Sequence, residues 1–339
     1  MHILPRLRLA AALAVLALGG QPVAAAVTLH IADDAVSGQS RDRGSEHTET
    51  VTERFTVGAS GALDLSNIAG DVRVTGGAGT DIRIEAVKRV RHADAGEARR
   101  LLNALRLEMT NVRGRVEVRT EYPRNERRFS GSVAYTVTVP AGAAVAVKTI
   151  SGDVTLTAIG GEARAESVSG DVAITRCTNL AHARTVSGDV RLEESGSEAV
   201  LSLGTVSGNV VARGVKVRSL DASAVSGDVR LSGVETERIQ AKSVSGNIEF
   251  GARLQRGGRY EFNSHSGEVR LTLGDDTGFE INADTFSGSI RSDFPITLRS
   301  DSPQGARGRA ARAIRGTFGD ASAIVAARSF SGSIVITRQ

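Results

Sequence analysis

SVSGDVAITRCTNLAHARTVSGDVRL, residues Ser167 to Leu192, carries the pentapeptide VSGDV twice, eighteen residues apart. The same Ser-Gly step recurs at Ser151, Ser169, Ser187, Ser207, Ser226, Ser245, Ser266, Ser287 and Ser331. Seven of the gaps fall between 18 and 21 residues, and the last, 44, spans about two repeats. A period near 20 residues is the signature of a solenoid, in which each repeat is one coil stacked on its neighbours.

The flanks of the corner carry more than its spacing. Six, four and two residues before each Ser the chain is apolar or small, as at Val145, Val147 and Thr149, or Leu201, Leu203 and Thr205. After it the apolar positions lie three and five residues on, as at Val154 and Leu156, or Val190 and Leu192. Each half alternates as a strand with one buried face does, but the phase changes across the corner. A straight strand cannot change parity, so the chain bends at Ser-Gly. Glycine accepts the backbone such a bend needs, and Ser with Asp or Asn can hydrogen-bond nearby amides.

These residues predict an all-β chain: a parallel β-solenoid, or β-helix-like stack, of roughly 19–21-residue coils. The corners Ser151-Gly152-Asp153, Ser169-Gly170-Asp171, Ser187-Gly188-Asp189 and Ser226-Gly227-Asp228 are read as structural. Degenerate copies extend the array upstream: LDLSNIAGDVRV puts Ala69 in the Ser place, LEMTNVRGRVEV puts Arg113 there, and FSGSVAY (129–135) fits only downstream. Between them, DAGEARRLLNALRL spaces Ala98, Leu101, Leu102 and Leu105 as an amphipathic helix does, with Asp94 as N-cap and Glu97 three residues on. This spacing predicts a helical insertion over about 94–106.

Met1 to Ala26 has the form of a secretory signal peptide: Arg6 and Arg8, an apolar run from Leu9 to Leu18, then Ala24 to Ala26. That run is half of what a membrane span needs and no later stretch exceeds it, so no transmembrane span is expected after cleavage. Residues 27–49 are read as a flexible lead-in, 50–339 as the solenoid domain, and about 300–316 as an exposed Arg-rich loop. Removing Arg6 and Arg8 lowers the formal charge from +4 to +2, which together with export argues against nucleic acid as a partner. Cys177 is the only cysteine, so no internal disulfide is possible. Thirty-eight glycines and no Trp suit short strands and tight turns.

YTVTVPAGAAVAVKTISGDV (135–154), DTGFEINADTFSGSIRSDFP (276–295) and RGTFGDASAIVAARSFSGSIVI (315–336) resemble, in that order, the bacterial DUF4097 family of adhesin-labelled, SGDV-repeat domains. The resemblance runs from about Thr50 to the C-terminus. It implies a β-solenoid-like, exported or envelope-associated protein, and it brings no catalytic residues.

Geometry competes with chemistry as the reason for the corners. Stacking would set Asp153, Asp171 and Asp189 about 4.8 Å apart, a spacing that could attract Ca²⁺. The column continues, however, as Asn209, Asp228, Asn247, Glu268, Ser289 and Ser333, which suits a polar acceptor better than a metal ladder. Neither metal nor cofactor is expected. Glycosidase chemistry needs two carboxyl groups held at different pKa values, and no such pair is evident. His182 reads as solvated, His265 as packed in a place usually held by Val, and Cys177 as an inert half-buried thiol. Arg307, Arg309, Arg312 and Arg315 are candidates for contact with an anionic surface. The expectation is a non-enzymatic cell-envelope protein, adhesin-like or scaffolding, periplasmic or at the surface. Its partners would be an envelope protein, a glycan or another surface polymer, with self-association through the solenoid ends. The alternative is a polysaccharide-binding or polysaccharide-processing β-helix.

Overall fold

The computed structural model describes residues 45–123, 129–298 and 312–339. The leader, most of the lead-in, Arg307 and Arg309 lie outside them. Two long sheets, of 13 and 14 strands, face each other across a thin core. Each coil runs as the repeat requires: a strand such as Glu162–Ser169 in one sheet, the corner, then a short strand such as Val172–Thr175 in the other. Pairing between coils is parallel and in register, so Ser169 lies level with Ser151 and Ser187, and Val172 with Val154 and Val190.

The parity change is visible in burial. Ala163, Ala165 and Ser167 are buried before the corner, and Val172 and Ile174 after it. In this coil one sheet contributes small side chains and the other Val and Ile. Such pairing fills a narrow interior at this coil without aromatic bulk. The aromatics Phe250, Tyr260 and Phe262 are clustered near the C-terminal coils.

Coil order in space departs from chain order at both ends. The coil of Ala62–Ser66 and Val72–Gly77 pairs with the coil of Ala144–Ser151 and Val154–Thr157, although some 65 residues separate the two in the chain. The last coil, Ala323–Ser331 and Ile334–Arg338, lies between Arg259–Leu273 and Phe279–Ser292. Ser333 therefore precedes Ser289 in the column, correcting the sequential stacking expected from the repeat. Ala69 does take the Ser place, bridging to Ser151. Arg113 does not. Strands Arg106–Val112 and Arg115–Glu121 pair antiparallel, and Arg113 and Gly114, both at positive φ, form the two-residue hairpin turn.

Antiparallel strands close both ends of the 14-stranded sheet and one end of the 13-stranded sheet, whose other edge is Ile290–Ser292, paired parallel. Glu46–Thr56 pairs with Asp81–Arg91, which pairs with Gly131–Pro140; at the far end Ala313–Phe318 pairs with Phe279–Ser287 and with Thr297–Leu298. Reversing direction breaks the parallel template that an open end would offer. Two boundaries move accordingly: the first strand starts at Glu46, inside the expected lead-in, and residues 313–318, which overlap the end of the expected Arg-rich loop, are strand.

The helix spans Ala95–Ala104, with the Asp94 carboxylate accepting from the Glu97 N–H at 2.7 Å. Ala98, Leu101 and Leu102 are buried against the first two antiparallel strands. Arg106 already belongs to the next strand. Among the described residues no helix is long and apolar enough to cross a membrane.

Candidate functional site

The corner is built from three stacked ladders. In the first, each glycine lies against the glycine of the previous coil: a Cβ on Gly170, whose φ is +145°, would run into the Gly152 carbonyl. No side chain fits there, and only glycine holds that φ cheaply. In the second, the residue after the glycine accepts the next coil's amide. Asp171 N–H donates to Asp153 Oδ1, Asp189 N–H to Asp171 Oδ1, and Asn209 N–H to Asp189 Oδ1, each at 2.8 Å. The series continues through Asp228, Asn247 and Glu268. Asp and Asn serve alike because only one oxygen is used, and the amide satisfied is that of the neighbouring coil instead of the same turn.

The third ladder lies beneath. Two residues before most of the corner Ser residues a buried hydroxyl donates to the neighbouring coil's glycine carbonyl: Thr185 to Gly170 at 2.9 Å, Thr205 to Gly188 at 2.9 Å, Thr285 to Gly332 at 2.8 Å; at Ser226 the place is taken by Ala224. Thr149 Oγ1 has no partner, since Asn67 Nδ2 already donates to the Gly70 carbonyl at 2.9 Å. The alternation in the sequence places these hydroxyls inside but does not disclose their role.

Electrostatics at the corner is equally structural. Burial raises the Asp171 carboxyl, but the Asp189 N–H and the Arg191 guanidinium outweigh it and hold it below the ordinary range. Arg191 spans Asp171 and Asp189 at 2.6 and 2.5 Å. Among the described residues no group of three His, Cys, Asp or Glu side chains is placed to hold a metal. Cys177 is fully buried, and burial pushes its thiol up. His182 is half-buried and hydrogen-bonded to Glu166 at 2.8 Å.

What the corners leave exposed is the residue just before each Ser. Ile68, Ile150, Val168, Val186, Val206, Val225 and Val244 are 38–52 % exposed, and the row ends in Phe330 and Phe286 at 50 and 67 %. Between Val244 and Phe330 stands His265, exposed and stacked on Phe330 with centroids 4.9 Å apart, and Phe330 stacks on Phe286 at the same spacing. His265 is thus a member of an outward row, not a packed side chain. Ten residues one coil apart make a straight apolar ridge roughly 43 Å long.

Beside the ridge runs a second outward column two residues earlier in each coil, including Arg119, Lys148, Glu166 and Arg184. The trough between the two encloses about 1050 Å³ from Ile68 to Val225. Lys148 and His182 converge on Glu166 at 3.2 and 2.8 Å. Burial raises that carboxyl, but the hydrogen bonds and charges of Lys148 and His182 together hold it below the ordinary range. Of the Arg-rich candidates, Arg312 is exposed and its carbonyl accepts the Thr285 N–H, one residue from Phe286; Arg315 lies in the antiparallel strand opposite Asn282.

Residues 63–337, nearly all of this architecture, match the Toastrack DUF4097 family. The chain belongs to that family. Several solved structures are similar at low identity. An adhesin from Bacteroides fragilis, named as putative, is 14% identical with TM-score 0.40, covering 85% of this chain and 97% of its own. Another from Parabacteroides distasonis, named likewise, is 10% identical with TM-score 0.44, covering 86% and 97%. A "putative lipid binding protein" of the same species is 10% identical with TM-score 0.42, covering 86% and 96%. No curated protein matches the chain.

Proposed function

We propose that this Toastrack protein is a non-enzymatic, exported component of the cell envelope, adhesin-like or scaffolding in role, that binds through the ridge and its trough. The observation that carries the reading is the row from Ile68 to Phe286, apolar at every coil but the one holding His265, and exposed along its whole length. Solvent-facing apolar area of several hundred Å² in one contiguous patch marks an interaction surface. The leader at Met1–Ala26 supports export, and adhesion is the role that the DUF4097 label suggests.

Glu166 is the carboxylate most embedded in the trough, and its ion pairs keep it charged. A glycosidase acid has to be held protonated, so the trough favours binding over hydrolysis. Glycan binding is the second reading, favoured by the charged wall of Arg119, Lys148 and Arg184.

The test is a pull-down from salt-washed envelope fractions with the mature chain and with V168E/V186E/V206E. Capture by the wild type that the variant loses supports the reading; identical capture by both removes the ridge as the binding surface. Capture abolished by added surface polysaccharide would select the glycan.

A further inference from the structure

The strand Glu46–Thr56 is the outermost of the 13-stranded sheet, bonded on its inner edge to Asp81–Arg91 in an unbroken antiparallel register. That register fixes which way its backbone points. The Ser45 carbonyl accepts the His92 N–H at 3.1 Å, and the Val57 N–H donates to the Thr80 carbonyl at 2.9 Å. The odd-numbered residues between them therefore bond inward, and the even-numbered ones turn their N–H and C=O groups outward. Glu46, Thr48, Thr50, Thr52 and Arg54 present a row of donors and acceptors with no backbone partner among the described residues. Edge strands are commonly blunted by shortness, Pro or a bulge. This one has eleven residues, neither Pro nor bulge, and Thr, Val or Phe at six places, which suits it to accept a further strand. The other sheet edges are seven, three and two residues long.

We propose that a second copy of this chain adds to this edge, the two Glu46–Thr56 strands running antiparallel about a two-fold axis that passes through Thr50 normal to the sheet. The inference is independent of the ridge. Only outward-pointing residues can bond, so even-numbered residues must pair with even-numbered ones, and the charges choose among the registers that remain. Centred on Thr50, Thr48 meets the partner's Thr52, Glu46 meets the partner's Arg54 and His47 meets the partner's Glu53. Glu46 and Arg54 already have Arg91 and Asp81 within the chain, but Glu53 has no ion-pair partner among the described residues, and His47 bonds only to the Ser45 hydroxyl. Centring on Val51 would instead set Glu49 against Glu53, and centring on Glu49 would set that residue against itself; like charges directly opposed are destabilising. The five outward residues of each copy exchange about ten main-chain hydrogen bonds, as many as an ordinary stable interface carries. The helix Ala95–Ala104 rests on both Glu46–Thr56 and Asp81–Arg91, about one strand spacing from the axis. Its two copies therefore fit side by side at roughly 10 Å, the separation at which helices pack. The contact is isologous and closed, so it yields a dimer and not a filament.

The test is the mass of the mature chain by light scattering after size exclusion, with variants that read the edge and the register separately. The wild type is expected at twice the monomer mass at micromolar concentration. Thr50→Pro removes an outward N–H that serves no bond within the chain, and an edge strand tolerates Pro there. It is expected at the monomer mass with an unchanged circular dichroism spectrum. T50C brings the two new residues about 5.5 Å apart at Cα, within disulfide reach, and is expected to cross-link under mild oxidant. T52C leaves them roughly 14 Å apart and is expected to stay uncross-linked; Cys177 is fully buried and does not compete. A wild-type monomer at every concentration overturns the proposal, as does a Thr50→Pro dimer, or cross-linking of T52C as complete as that of T50C. A monomer that dimerises once residues 27–44 are removed would overturn it in favour of the chain's own lead-in on that edge. A monomer that captures an envelope protein, with the capture lost in Thr50→Pro, would overturn it in favour of a foreign strand.

Discussion

At Gly170 two constraints coincide: a φ of +145° and a neighbouring carbonyl where a Cβ would sit. Gly170→Ala is expected to cost on the order of 3 kcal/mol. Gly251, in a strand with no such φ and nothing closer than Thr272 at 4.0 Å, is the control, and Gly251→Ala is expected to change stability by less than about 1 kcal/mol. Denaturant titration of both variants checks the pair. The acidic column carries a pH dependence of known sign. Because the folded Asp171 carboxyl lies below its ordinary value, its contribution is present above the unfolded pKa of about 4 and is lost as pH falls through the lower folded value. Asp171→Asn keeps the ladder oxygen and removes the charge, so the stability difference between wild type and variant is expected to shrink as pH falls below about 4. A difference that is constant with pH would contradict the Arg191 assignment.

Among elements, the C-terminal coil is the one whose place the repeat does not reveal. It is hydrogen-bonded on both sides, from Gly267 N–H to the Ser331 carbonyl and from Gly332 N–H to the Ser287 carbonyl, each near 3 Å. Truncation before Ala323 is therefore expected to release Phe279–Ser292 to protease while Ala144–Ala252 stays protected. Trimming of the tail with Phe279–Ser292 still resistant would contradict the insertion. Corner spacing and the parity of apolar residues suffice for the coil and its bend, and the helical spacing of Ala98, Leu101 and Leu102 after Asp94 for the helix. Coil order is not legible, because parallel coils of one register present the same edge to any neighbour, and nothing local distinguishes Ser333 above Glu268 from Ser289. The hairpin at Arg113 reads as a corner because VRGRV copies the local pattern, while its true turn is set by the antiparallel pairing of the strands on either side.

Seen whole, the molecule separates support from display. Glycines, ladder oxygens and buried hydroxyls form one continuous spine, and the residue before each Ser is free of any part in it. That freedom explains why the sequence hides the site: VSGDV draws the eye to the repeated chemistry at Ser, Gly and Asp, whereas the exposed Val before them looks like one more strand residue. Its signal is an apolar side chain at an odd offset, where the alternation demands a polar one, repeated at Ile150, Val168, Val186, Val206, Val225 and Val244. Sustained breach of a pattern at one phase points to a function of the surface.

The most direct test sets the two columns against each other in one assay of retention on washed envelopes. One variant neutralises the acidic column while keeping its ladder oxygens, D171N/D189N/D228N; the other charges the ridge, V168E/V186E/V206E. Retention at the wild-type level for the first, with a loss of tenfold or more for the second, is the predicted result. Loss in the acidic-column variant with full retention in the ridge variant would contradict the account and return the binding chemistry to the corners.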